Sequence, residues 1–190
     1  MKSTMRILAF ALVLFVAATT TSCERNNSNP VVPLVTDTIV MTVSADAQNG
    51  SFTLFKLSNE SIVPTAQQQT ANWDMGMRFT TFITNSGTNG PSAAGVQILD
   101  GTFEGTLTAP ETGYVSTIDD YNQFATYNST TRQFTPRPGR IFILRTADNK
   151  FAKLEMLRAD FGPLAGTPPR PTTIIYTFRY QLQANGTRNF

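Results

Sequence analysis

The stretch TIIYTFRYQL, residues 173–182, decides the fold. Ile174, Tyr176, Phe178, Tyr180 and Leu182 alternate with Thr173, Ile175, Thr177, Arg179 and Gln181. In an extended chain successive side chains point to opposite faces, so the first set makes an apolar face and the second a mostly polar one. A half-buried strand follows. Working outward, Ile39, Met41, Val43 and Ala45 alternate in the same way. Phe52, Leu54, Phe55 and Leu57 do so with a change of phase that predicts a bulge. QNGS at Gln48–Ser51 supplies Asn-Gly between these two runs and predicts a first hairpin.

Further short runs at Met75–Ile83, Val96–Leu107, Arg140–Thr146 and Phe151–Leu157 are separated by turn residues such as SGTNG at Ser86–Gly90 and ADN at Ala147–Asn149. No long window carries a helical stripe, so the expected architecture is all-β, built of antiparallel hairpins with little helix. GPLAGTPPRP at Gly162–Pro171 reads as a long loop, because its prolines withhold ladder donors.

The N-terminus reads differently. Lys2 and Arg6 precede an apolar run from Ile7 to Ala18, and small residues Thr20, Thr21 and Ser22 lead to Cys23, the only cysteine. This order is that of a secretory signal, here residues 1–22, with Cys23 as the lipidation site of an exported protein. Residues 23–35, with the polar RNNSNPVVP at Arg25–Pro33, read as a tether, leaving residues 36–190 as one β domain. Removing Lys2 and Arg6 with the signal leaves 13 basic residues against 13 acidic ones. Between Glu24 and Asp120 lie 3 basic and 10 acidic residues, and from Tyr121 onward 10 and 3. Neither half interleaves Lys or Arg with aromatics as a nucleic-acid surface does, so no nucleic-acid partner is expected.

The chain contains no histidine. A Ser-His-Asp or Cys-His hydrolase and a His/Cys zinc site are therefore unavailable, and the Gly-rich stretch Gly87–Gly95 lacks the spacing of a phosphate-cradling loop. The adjacent Asp119 and Asp120 read as an exposed turn rather than an acid/base pair. No general base with an orienting partner can be assembled, so an enzyme is not expected.

More specific are NWDMGMRF at Asn72–Phe79, PETGYVSTID at Pro110–Asp119, RIFILRTADNKFAKLEML at Arg140–Leu157 and TIIYTFRY at Thr173–Tyr180. In this order, behind a lipoprotein signal, they resemble the HmuY family of Bacteroidetes exported lipoproteins over about Val40–Tyr180. The resemblance implies an antiparallel HmuY-like β domain, lipid-anchored at the outer membrane or cell surface. It also implies capture of haem for iron acquisition and hand-over to an outer-membrane receptor.

The haem would lie between hairpins connecting the Gly-Tyr turn to the Arg-Thr-Ala-Asp strand. That interval here is only YNQFATYNSTTRQFTPRPGR, Tyr121–Arg140, without His or Met. Within it Tyr121 and Tyr127 are the candidate iron ligands, Phe124 and Phe134 the candidate covers of a porphyrin face, and Arg132, Arg137 and Arg140 the candidate propionate partners. Trp73, Met75 and Met77 read as core. Two function classes stand open: a haem or tetrapyrrole carrier, and a non-haem surface lipoprotein that uses the same fold for another ligand or a protein partner.

Overall fold

The alternating segment 173–182 is the second strand of a five-stranded antiparallel sheet, and its neighbours explain its burial pattern. The computed structural model describes residues 34–131 and 133–190. The expected signal 1–22, the anchor Cys23, nearly all of the tether and Arg132 lie outside the described residues. In chain order the strands are β1 (Val35–Ser44), β2 (Thr53–Lys56), β3 (Ser61–Val63), β4 (Met75–Arg78), β5 (Thr81–Thr84), β6 (Gly95–Asp100) and β7 (Thr117–Ile118). They continue with β8 (Ala125–Asn128), β9 (Gln133–Pro136), β10 (Arg140–Arg145), β11 (Phe151–Phe161), β12 (Leu164–Ala165), β13 (Arg170–Pro171) and β14 (Thr173–Gln183). Among the described residues the only helices are three-residue 3-10 turns at Leu57–Asn59, Thr65–Gln67 and Tyr121–Gln123. The all-β expectation is met.

One sheet has the order β1-β14-β11-β10-β6, the other β3-β2-β4-β5-β7, and β8-β9 and β12-β13 are separate two-stranded ribbons. Every pairing is antiparallel. The two large sheets pack face to face. Ile174, Tyr176, Phe178, Tyr180 and Leu182 join Ile39, Met41 and Val43 from β1, Phe142 and Leu144 from β10, and Met75, Met77 and Phe82 from the second sheet in one core. Phe82 stacks on Phe142 with ring centroids 5.3 Å apart. Met75 and Met77 are therefore core, as read.

Two local expectations are corrected. β1 and β2 do not pair with each other; they belong to different sheets, so Gln48–Ser51 turns the chain across the sandwich and not within a hairpin. There Asp46 Oδ1 accepts from the backbone N–H groups of Gln48 and Asn49, both at 2.9 Å, an Asx-type cap that serves either kind of turn. The phase change at Phe52–Leu57 is not a bulge either. Phe55 and Leu57 face the central core, while Phe52 and Leu54 face a separate outer cluster with Val63, Trp73 and Ile83. β2 is simply buried on both faces.

Two other runs are broken up in the fold, and one expected loop carries a ladder. Met75–Ile83 folds into the tight pair β4-β5, with Phe79 at its turn in the left-handed region, φ 49°. Its backbone N–H donates to Ser44 O at 2.7 Å and its carbonyl accepts from the Tyr176 hydroxyl at 2.9 Å, contacts that hold this uncommon conformation. Val96–Leu107 is a strand only to Asp100; beyond it, Phe103 and Ala109 fold back over Ile141, Ile143 and Phe151 on the outer face of the first sheet. Within Gly162–Pro171, the expected loop carries the short ladder Leu164↔Pro171 and Ala165↔Arg170.

The motif residues tie these layers together. Asp74, almost fully buried, accepts from Lys56 Nζ at 3.2 Å and from the backbone N–H groups of Leu57 and Ala147, both at 2.9 Å. Lys56 also pairs with Asp148 at 2.7 Å. The Trp73 indole donates to Gln68 O at 2.8 Å, and Asn85 donates to Thr70 O and Trp73 O at 2.8 and 2.9 Å. Tyr114 donates to Pro110 O at 2.9 Å and lies beneath the Arg145 guanidinium, 5.3 Å from its ring centre. Lys153 is buried, donating to Phe103 O and Thr106 O at 2.7 and 2.9 Å. The Asn-Trp-Asp, Gly-Tyr and Thr-Ala-Asp segments are thus structural fasteners.

A candidate ligand cleft on the second half of β11

β11 begins as an ordinary strand and changes hands midway. Ala152, Leu154 and Met156 pair with Leu182, Tyr180 and Phe178 and face the core. The register then skips Leu157, so that Arg158 pairs with Thr177, Ala159 with Tyr176 and Phe161 with Ile174. One extra residue in a bulge reverses the alternation beyond it. Ala159 and Phe161 therefore continue the inner face, packed against the core yet only partly buried. Leu157, left out of the ladder, is 44% exposed.

The inner face left open here is flanked by two ribbons. The β8-β9 hairpin supplies Tyr127, Phe134 and Pro136, with Tyr121 from the preceding 3-10 turn; the 162–171 segment supplies Leu164, Pro168, Pro169, Arg170 and Pro171. Together with Phe79, Leu157, Arg158, Asp160 and Phe161 they enclose a cleft of about 1220 Å³. Phe134 is the hub of its aromatic wall. The ring centroid of Tyr127 lies 4.9 Å from it, Tyr121 5.2 Å, Phe161 5.8 Å and Phe79 6.0 Å. The edge-on and tilted arrangements are those aromatic quadrupoles favour.

The predicted site residues separate into groups. Tyr121, Tyr127 and Phe134 are brought together on the cleft. Phe124 is not; it is buried in the core, 5.4 Å from Phe142 between centroids. Arg140 is occupied by Asp100, its cross-strand partner on β6, and Arg137 lies in the exposed turn before β10, where its backbone N–H donates to Phe124 O at 2.8 Å. Neither lines the cleft, and Arg132 lies outside the described residues.

The cationic groups of the described lining are instead Arg158 and Arg170. Arg158 pairs with Asp160 at 3.0 Å on the face of β11 opposite Ala159 and Phe161, whereas Arg170 has no ion-pair partner among the described residues. These two, along with Leu157, Phe161 and Leu164, are not among the residues predicted from the sequence. The signal was present in MLRADF at Met156–Phe161, where adjacent apolar residues are followed by Ala159 and Phe161 in the opposite phase. Asp119 and Asp120 are exposed, and Asp120 Oδ1 caps the next turn by accepting from Asn122 N at 2.9 Å.

No family model matches this chain, and no curated protein matches it. Solved structures similar to it include an apo HmuY analog of Tannerella forsythia, 10% identical, covering 82% of this chain and 99% of that one with a TM-score of 0.47. Apo PinO from Porphyromonas gingivitis is 11% identical over 77% of this chain and 98% of its own, with a TM-score of 0.45. A protein described as HmuY-like and haem-binding, from Bacteroides vulgatus, is 11% identical over 75% and 90%, also at 0.45.

Proposed function

We propose that this chain is an exported, lipid-anchored binding protein whose cleft on β11 holds a flat apolar ligand, with haem as the ligand to test first. The observation that carries this reading is the gathering of exposed apolar side chains. Tyr127, Leu157 and Leu164 are each more than two-fifths exposed, and all three line this one cleft. Soluble domains rarely leave contiguous apolar surface uncovered unless something docks there. The volume exceeds the roughly 300–1,000 Å³ of ordinary small-molecule pockets, which suits a large planar ligand.

The fit to haem is partial and specific. Aromatic faces are present, and the described lining offers two phenols, Tyr121 and Tyr127, but no imidazole, thiol or thioether. Phenolate is an established axial ligand of haem iron, so these two side chains are where coordination would occur. The absence of histidine from the whole chain favours a second reading, in which the same cleft takes an apolar ligand without iron. Cys23 would anchor the protein at the outer membrane or cell surface, and an outer-membrane receptor would be the recipient of the cargo.

Haemin titration followed by absorption distinguishes the two. Oxygen ligation should give a ferric spectrum without bis-imidazole features, an affinity that falls on reduction, and loss of the coordinated band in Tyr121→Phe combined with Tyr127→Phe. Binding that survives the double substitution with an unchanged spectrum would assign the cleft to stacking alone. Haemin that changes neither the spectrum nor the melting temperature at micromolar concentration would reject the haem reading.

A further inference from the structure

We infer that Arg170 is the anchor for an acidic group on the rim of the ligand, so that the cleft selects planar amphipathic acids and not merely flat apolar molecules. The inference rests on the cleft being a binding site and adds the chemistry it recognises. Arg170 lies in the β12-β13 ribbon, registered opposite Ala165 and flanked by Pro169 and Pro171, whose rings fix φ on both sides. The base of this ribbon is fastened: Gly162 N donates to Thr173 O at 2.9 Å, and Thr172 donates from both its N–H and its hydroxyl to Pro163 O, at 3.0 and 3.1 Å. The guanidinium is therefore presented from a held backbone.

Its electrical situation differs from that of its neighbour. Arg158 is neutralised by Asp160, the only acidic residue of the described lining, so that lining carries one cation in excess and Arg170 is that cation. Across the cleft stands the aromatic wall centred on Phe134. A ligand that satisfies both walls has an apolar plate for the rings and a carboxylate or similar oxyanion for the planar fork of arginine, which binds such groups bidentately. The propionate role expected of Arg137 and Arg140 thereby moves to the opposite ribbon.

The test uses metal-free porphyrin, which removes iron ligation from the question. Protoporphyrin IX and its dimethyl ester are titrated against the full chain and against Arg170→Gln in the same detergent buffer. Loss of a charge-assisted hydrogen-bonded pair should weaken the diacid about tenfold in Arg170→Gln. The ester should bind the native chain about as weakly and be indifferent to the substitution, and added salt should narrow the difference. Arg158→Gln, already neutralised in place, should have the smaller effect. If acid and ester bind both proteins equally, the anchoring role of Arg170 is overturned while the cleft reading stands. If neither porphyrin binds the native chain, the cleft reading fails and takes the inference with it.

Discussion

At the scale of single residues, Asp74 is a polar hub of the fold. Its carboxylate receives Lys56 and two backbone N–H groups from different parts of the chain. Removing one member of a buried ion pair leaves an uncompensated charge and orphaned donors, a loss of about 3–5 kcal/mol. Asp74→Ala should therefore cost about that much in urea unfolding. Asp148→Ala, whose carboxylate is 45% exposed, should cost no more than about 1 kcal/mol. Comparable losses for the two would contradict the hub assignment. The role of Asp74 was not legible beforehand, because Lys56, Leu57 and Ala147 converge on it only once the chain has folded. Trp73 beside it was legible as core, being the largest apolar side chain of the Asn-Trp-Asp segment.

Among elements, β14 shows what alternation can and cannot reveal. Its buried row was readable because one face meets the core while the other holds mostly polar residues. Phe178→Ala should cost about 3–5 kcal/mol, a large part of the roughly 5–15 kcal/mol stability of a typical domain. The outward row is less free than its polarity suggests. Arg179 pairs with Glu155 and Glu104 and lies over the Phe103 ring, 4.3 Å from its centre, clasping the 101–106 segment to the sheet. Arg179→Ala should therefore cost a measurable amount, about 1 kcal/mol, still well below Phe178→Ala. Equal denaturation midpoints for the two variants would refute this ranking. β2 and β11 escaped the same reading for opposite reasons: β2 is buried on both faces and so shows no period, while β11 reverses its period at Leu157. The cleft depends on that reversal, and an uninterrupted alternation hides the lining residues Leu157–Phe161 that follow it.

For the whole molecule, ionisable groups set the pH range of stability. Burial pulls the Lys56 ammonium down, but its bonds to Asp148 and Asp74 outweigh this and hold it above its ordinary value. Burial alone pushes the Tyr176 phenol up; burial together with the Glu60 carboxylate does the same for Tyr180. All three bind protons more tightly folded than unfolded. Their contribution is complete below the unfolded values, about 10 for Tyr and 10.4 for Lys, and is lost as pH rises through the folded ones. Lys153 runs the other way, since burial depresses it, and offsets part of that loss. On the acid side, Asp46 is lowered by the N–H groups of Asn49 and Gln48, and Glu104 by its own N–H and Arg179. Stability from these carboxyls is present above about pH 4 and declines below it. With no imidazole in the chain, the melting temperature should be level from about pH 5 to 9 and fall on either side; a step near pH 6.5 would contradict this.

The single tryptophan gives such experiments a built-in lamp. Trp73 sits in the outer cluster of the second sheet, on the face turned away from the central core, so its emission should be blue-shifted in the native protein and move red only when that layer opens. Fluorescence will then miss a local parting of the β8-β9 ribbon that a probe attached to the ribbon would see. Disagreement between the two signals would show that the ribbon opens independently of the layer around Trp73.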